Sequence, residues 1–195
     1  MKDKEEVFFM KSTLLGHLEK LLNAYSHLYD IARDVTVDGQ NFPATATYYL
    51  RDENYLISKK HVLSAVEQHE YVYFHLTSHL EKHELQTMID AARQDGLRKV
   101  HPSKEHMFSY ITLIVLADTI DPEALRLIRK TRIRKNYLLT LHGWMEFRLA
   151  AMETSSNRFF SNPAGRETKK ILVSNFLSGS RSQTPLRRKK YERSN

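Results

Sequence analysis

The sequence predicts a single α+β domain of ordinary size, and three observations carry that reading. Apolar residues recur at steps of three and four near the N-terminus, between Thr77 and Gly96 and again after Pro163, the mark of amphipathic helices. Between these stretches lie runs of Tyr, Thr, Val and Phe, side chains that fit a pleated surface. With 41% hydrophobic and 27% charged residues in 195, the chain has enough apolar material for one sizeable core.

Taken in order, Val7, Met10, Leu14, Leu18, Leu21, Leu22, Tyr25, Leu28, Tyr29 and Ala32 fall on one stripe, so a long helix is expected over about 5–32. Asp38-Gly39 supplies a turn, and Pro43 opens a strand over Ala44–Leu50. The polar run Arg51-Asp52-Glu53-Asn54 is read as a hairpin turn into a second strand ending near Lys59. Glu70–Leu76 is the third strand, after which Thr77 or Ser78 caps a helix that ends at Gly96. Its inward positions are Leu80, Leu85, Met88, Ile89 and Ala92.

His106–Ala117 is apolar on both faces, the pattern of a central buried strand. Asp121, Pro122 and Glu123 supply cap, first-turn proline and first-turn acid for a helix ending near Lys130. Tyr137–Leu141 is strand-like, and Gly143-Trp144 interrupts it before Met145, Phe147, Leu149 and Ala151 resume on one face. Arg158–Ser161 pairs back as a short strand, and Asn162-Pro163 starts a last helix with Ile171, Leu172 and Phe176 inward. The expected order is therefore α-β-β-β-α-β-α-β-β-α, a mixed and largely antiparallel sheet with helices on at least one face. Residues 1–177 form the domain, and 178–195, almost without apolar content, are expected to be a disordered basic tail.

Several function classes drop out. Without cysteine the chain has no disulfide, thiolate nucleophile, zinc finger or iron-sulfur cluster. The longest apolar run, Ile111–Ala117, is far shorter than the roughly 20 residues of a membrane span. The start Met1-Lys2-Asp3-Lys4-Glu5-Glu6 resembles neither a signal nor a transit peptide, so a cytoplasmic protein with no membrane partner is expected. Six glycines stand singly at 16, 39, 96, 143, 165 and 179, and no Gly-x-Ser-x-Gly occurs, so neither a phosphate loop nor a serine elbow is present. No cofactor is expected.

The net charge of +7 is unevenly placed. Residues 178–195 hold Arg181, Arg187, Arg188, Lys189, Lys190 and Arg193 against Glu192, a balance of +5 that leaves only +2 for the first 177 residues. Within the domain, Arg126, Arg129, Lys130, Arg132, Arg134 and Lys135 place six cations in ten residues without an acid. Arg132 and Arg134 flank an inward Ile133, and Tyr137 stands near for stacking, so a compact positive patch is expected. A plainer origin is the helix dipole, which favours cations in a last turn. The expected function is a non-catalytic binding module for nucleic acid, another polyanion or a protein, using this patch and the tail residues Arg187, Arg188, Lys189 and Lys190.

The alternative is a divergent metal-dependent hydrolase. The opening order α-β-β-β-α-β resembles the core of the restriction-endonuclease-like nucleases, which hold Mg²⁺ on strand carboxylates and orient water with an acid-x-lysine. The available acids are Asp52, Glu53, Glu67 and Glu70, but two positions after Glu67 stands His69 and two after Glu70 stands Val72, so the lysine is missing. His79 and His83, if on one helix, have the i, i+4 spacing of a zinc pair within reach of His75, without the glutamate that zinc peptidases place next. His106 and His142 are read as hydrogen-bonded histidines of the core or rim, and Trp144 as core.

Four other stretches, Glu105-His106-Met107, Leu116-Ala117-Asp118, Gly143-Trp144-Met145 and Asn162-Pro163-Ala164-Gly165, resemble those of a family of small uncharacterised bacterial proteins over roughly 11–172. The resemblance implies a shared fold and brings no activity. Deleting residues 178–195 is expected to leave the thermal midpoint nearly unchanged, since the segment adds almost no apolar area. A calorimetric drop of many degrees would mean that it docks on the domain.

Overall fold

The computed structural model describes residues 2–52 and 66–177. These form α1 (Lys2–Tyr25), β1 (Asp30–Val37), β2 (Gln40–Asp52), β3 (Val66–Leu80), α2 (Lys82–Lys99), β4 (His106–Ile120), α3 (Pro122–Lys130), β5 (Arg134–Asn136), β6 (Trp144–Glu153), β7 (Arg158–Ser161) and α4 (Arg166–Leu177). Four helices thus accompany a mixed, mostly antiparallel sheet, the α+β class that the sequence predicts, with seven strands where six were expected. Its path is β1-β2-β3-β4-β6-β5, with β7 also paired to β6. The pairs β3–β4 and β4–β6 are parallel, and their crossovers are made through α2 and α3.

The apolar character of β4 sets up three layers. Ile111, Leu113, Val115 and Ala117 face a core shared with Leu85, Ile89 and Ala92 of α2 and Ala124 and Ile128 of α3. Ile114 and Leu116 face the opposite core, closed by Leu14, Leu18, Leu21, Leu22 and Tyr25 of α1 and Leu172 of α4. No helix among the described residues is long and apolar enough to cross a membrane.

The first helix is shorter than expected. Leu28 and Ala32 continue its spacing but are exposed, and Asp30–Val37 instead pairs with β2. Asp38 and Gly39, with φ of 48° and 77°, close the tight hairpin for which Asp-Gly is suited, and that turn recruits the preceding β-branched run as a strand. The expected strand at 55–59 and the tail at 178–195 lie outside the described residues. β3 runs on to Leu80, so α2 begins after Glu81 rather than at Thr77 or Ser78. Tyr137–Leu141 is a turn and not a strand: β5 stops at Asn136, and Leu138, Leu139 and Thr140 adopt left-handed φ of 45°, 51° and 76°.

The four stretches that carry the family resemblance lie around β4 and β6. His106 is buried, and its Nδ1–H donates to the His142 carbonyl at 2.8 Å while Nε2 accepts from Ser109 Oγ at 2.9 Å. Gly143 sits against it so closely that a Cβ would lie 2.5 Å from His106 Nδ1 and from two carbonyl oxygens. The Asp118 and Ala117 carbonyls receive the Ser155 and Thr154 amides. Asn162 does not cap α4, which starts at Arg166; its Oδ1 accepts from the Leu149 and Gly165 amides, and its Nδ2 donates to the Phe147 and Thr131 carbonyls. All four hydrogen-bonding positions of a buried amide are thereby satisfied.

Leu113 is fully buried on the centre strand. Leu113→Ala is expected to lower unfolding free energy by about 2–5 kcal/mol in denaturant titration, and a variant as stable as the parent would show that the core tolerates the cavity by collapse.

Candidate functional site

The six domain cations follow from how α3 hands over to β5. Ala124 and Ile128 bury one face of α3, which leaves Arg126, Arg129 and Lys130 in solvent. Thr131 ends the helix by donating to the Leu127 carbonyl, and Ile133 packs against the core as its spacing suggests. Arg132 turns back to the helix, donating from one terminal nitrogen to the Arg129 and Thr131 carbonyls at 2.7 and 2.9 Å. It thereby satisfies backbone acceptors that α3 leaves open.

Three of the others, Arg129, Arg134 and Lys135, lie against aromatic rings. The Arg134 guanidinium lies 4.3 Å above the Trp144 ring, with Nε donating to Asn136 Oδ1 at 3.2 Å. Lys135 is 5.2 Å from the Tyr137 ring. Arg129 and Arg158 approach the same Phe160 ring, each at 5.8 Å. Arg158 and Phe160 escaped the sequence reading, although cation and ring alternate at 158 and 160 in a strand, which places them on one side. The result is a row along the outer edge of β6, with Arg134 on the Trp144 face of the sheet and Lys135, Arg129 and Arg158 on the α3 face, and not the compact patch expected from sequence. Phe160 pairs with Ala151 and Lys135 with Met145, six residues apart along β6, a span of about 20 Å at strand spacing. Acids border it at Glu123, 3.9 Å from Arg126, at Glu146 opposite Arg134, and at Glu153, 2.5 Å from Arg158. Arg187, Arg188, Lys189 and Lys190 lie outside the described residues.

Trp144 is partly exposed. It stacks on Phe108 with centroids 5.4 Å apart and meets Tyr110 edge-on at 5.5 Å. Arg148 lies 3.1 Å above Tyr110 and 3.5 Å from buried Glu70. Glu70 also accepts from Thr112 and Tyr29, both at 2.8 Å. The acid proposed for metal binding is therefore held by an arginine and two hydroxyls. Across β2 and β3 on that face its neighbours are the pairs Ala46/Val72 and Ala44/Phe74, which cannot ligate. The described residues around Glu70 do not fit the carboxylate pair and lysine of a Mg²⁺ nuclease, and the candidate Glu53 lies outside the described residues.

The histidines are separated as well. His75 and His79 both lie on β3 and only His83 is on α2, so the helical i, i+4 pair does not form. His75 Nε2 meets Glu84 at 2.8 Å, and His79 meets Asp121 at 3.1 Å. Among the described residues no group of three His, Asp or Glu side chains is placed to hold a metal ion.

The sequence profile of a family described as "Domain of unknown function (DUF8052)" matches residues 15–174. No curated protein and no solved structure matches the chain.

Glu153 anchors the Arg158 end of the stripe. Burial pushes its carboxyl up, but hydrogen bonds from Ser156, Arg158 and the Ile120 amide outweigh this and hold it below the usual glutamate range. Because the folded-state value is depressed, its contribution is present above the ordinary glutamate range and disappears as pH falls through the folded value. Glu153→Gln is expected to lower the thermal midpoint at neutral pH, with the difference from the parent closing in acid. A gap that stayed constant with pH would refute the charge-based role.

Proposed function

We propose that the chain, which belongs to the DUF8052 family, is a non-catalytic module that binds a polyanion, nucleic acid foremost, along the cationic edge formed by α3, β5 and β7. The observation that carries this reading is the seating of Arg129, Arg134 and Lys135 on aromatic rings from three different segments. Cation–π contact holds a charge in place while leaving N–H groups free for an incoming acceptor. A charge fixed beforehand loses little conformational entropy on binding, which a flexible lysine cluster cannot avoid.

The linear arrangement selects among polyanions. One turn of duplex spans about 34 Å, so a row of about 20 Å lies along little more than half a turn and meets the few phosphates on that side. Contacts of this kind set register and affinity without reading bases. The basic segment at 187–190 adds charge next to the domain and strengthens binding without choosing the ligand. The nuclease alternative has the element order in its favour but not the described surroundings of Glu70.

The test is a binding titration with single-stranded and duplex DNA and RNA between about 50 and 200 mM salt, a range over which several phosphate contacts lose orders of magnitude in affinity. Arg132 supports the helix end, so the charge-reversed variant carries Arg129→Glu, Lys130→Glu, Arg134→Glu and Lys135→Glu instead. It is expected to stay folded with a modestly lowered thermal midpoint, from the lost helix-dipole and cation–π contacts, and to lose most of its nucleic-acid binding, whereas deletion of 178–195 weakens binding and flattens its salt dependence with the same preference. A charge-reversed variant that binds like the parent overturns the reading. Cleavage of the nucleic acid on adding Mg²⁺ would move it to the nuclease.

A further inference from the structure

Nine large apolar side chains stand exposed among the described residues, and six of them gather at one end of the sheet. Tyr49 and Leu50 close β2, Met107 opens β4, and Leu138, Leu139 and Leu141 occupy the turn before β6. The strand register places these ends together, since Leu50 pairs with Gln68, Gln68 with Phe108 and Phe108 with Trp144. The turn is the most prominent part: Leu138, Leu139 and Leu141 are 62%, 91% and 73% exposed.

This turn is not a frayed loop. Backbone hydrogen bonds close it from Leu141 to Leu138, from His142 to Tyr137, from Gly143 to Thr140 and from Tyr137 to Gly143. Gly143 locks its base against His106. Two leucines and a threonine are held in the left-handed region, where side chains that branch or extend from Cβ are disfavoured. The fold thus maintains a strained backbone in order to direct leucines into water, the kind of strain that collects at functional sites. Clustered exposed apolar area of this sort marks an interaction surface.

We propose that the turn is the tip by which the protein enters the interface of an anionic lipid bilayer, with Leu138, Leu139 and Leu141 reaching the acyl boundary and Arg134 and Lys135 meeting the headgroup phosphates. The shape favours a bilayer over a protein pocket: the leucines project from a convex tip, and a bilayer accepts such a tip without a complementary cavity. The charges agree. Arg134 and Lys135 are exposed at the foot of the turn, and Lys104 is exposed just before β4. Lys135 and Leu139 are four positions apart, a fully extended limit of about 14 Å of chain that exceeds a headgroup layer of about 5–8 Å and leaves length for the turn. The contact is a surface one, in which the protein lies on the membrane and does not span it.

The inference goes beyond the nucleic-acid reading and shares Arg134 and Lys135 with it, so its test rests on the leucines, which that reading does not use. The full chain is sedimented with phosphatidylcholine vesicles and with vesicles in which a third of the lipid is phosphatidylserine. The parent is expected to bind the second. The variant Leu138→Ser, Leu139→Ser, Leu141→Ser is expected to keep its thermal midpoint and nucleic-acid titration and to lose at least about a hundredfold in partitioning. Since the chain has no cysteine, Leu139→Cys accepts a single polarity-sensitive fluorophore, whose emission should shift to the blue on anionic vesicles. The same label at Ser174→Cys on α4 should not shift. A serine variant that binds like the parent, or a parent that ignores phosphatidylserine, overturns the proposal. So does leucine-dependent dimerisation in sedimentation equilibrium, which would assign the turn to a second copy. Vesicle binding that persists while nucleic-acid binding fails would retain this inference and discard the other.

Discussion

β4 is hydrogen-bonded on both sides to parallel strands, and from Ile111 to Ala117 every residue is buried. A strand without a wet face cannot lie at an edge or carry a helix on one side only, so the chain must return twice in the same direction and cover both surfaces. α2 and α3 supply the two returns and one cover, while α1 and α4, distant in sequence, supply the other. Even the partly polar positions obey the constraint. Thr112, the one hydroxyl in the middle of the run, gives its proton to Glu70, and Glu70 in turn is matched by Tyr29 and Arg148. A buried carboxylate on the next strand is tolerable only because each oxygen has a donor.

A second set of constraints consists of single buried polar side chains that tie segments to β6. Asn162 joins the chain after β7 to Leu149 and Phe147 and to Thr131 beyond α3, and His106 joins the start of β4 to the turn before β6. Glu153 does the same at the far end, taking the Ile120 amide and the Arg158 guanidinium. These pins determine where the cations of the edge can be. Arg129 stands at the end of a helix, and Arg134 and Arg158 on strands, whose neighbouring segments are held by Asn162, His106 and Glu153.

Much of this was legible in the residues. The apolar run of β4, the Asp-Pro-Glu start of α3 and the apolar spacing of α2 lie where local chemistry places them, because burial and propensity agree there. Where they disagree the reading failed. Leu28, Tyr29 and Ala32 extend the stripe of α1 by spacing alone, but Asp38-Gly39 can close a hairpin only if the residues before it are a strand, and pairing with β2 prevails over periodicity. Leu138-Leu139 reads as strand because leucine rarely takes a positive φ, and only the tertiary closure between β5 and β6 imposes it. The cations were found as residues, but six neighbours in sequence became a stripe because three sit on a helix and the rest on an extended segment. Phe160 and Trp144, which seat two of them, come from other strands and could not be assigned from local sequence.

Both margins of the sheet are obstructed. Along the outer side of β6, β5 pairs with residues 144–146 and β7 with 150–153, while Asn162 occupies the amide and carbonyl groups between them. On the opposite margin β1 carries exposed Asp30, Arg33 and Asp34, and Asp34 lies opposite Pro43 with a left-handed φ of 52° that breaks the ladder. Proline has no amide proton to give, and charged or kinked margins discourage another strand from joining. Among the described residues the sheet therefore has no long free backbone ladder to offer, which guards it against fibrillar growth through these margins. A partner that meets these margins is gripped by side chains, so its recognition can drift by point substitution at the surface while the hydrogen-bonded framework stays unchanged.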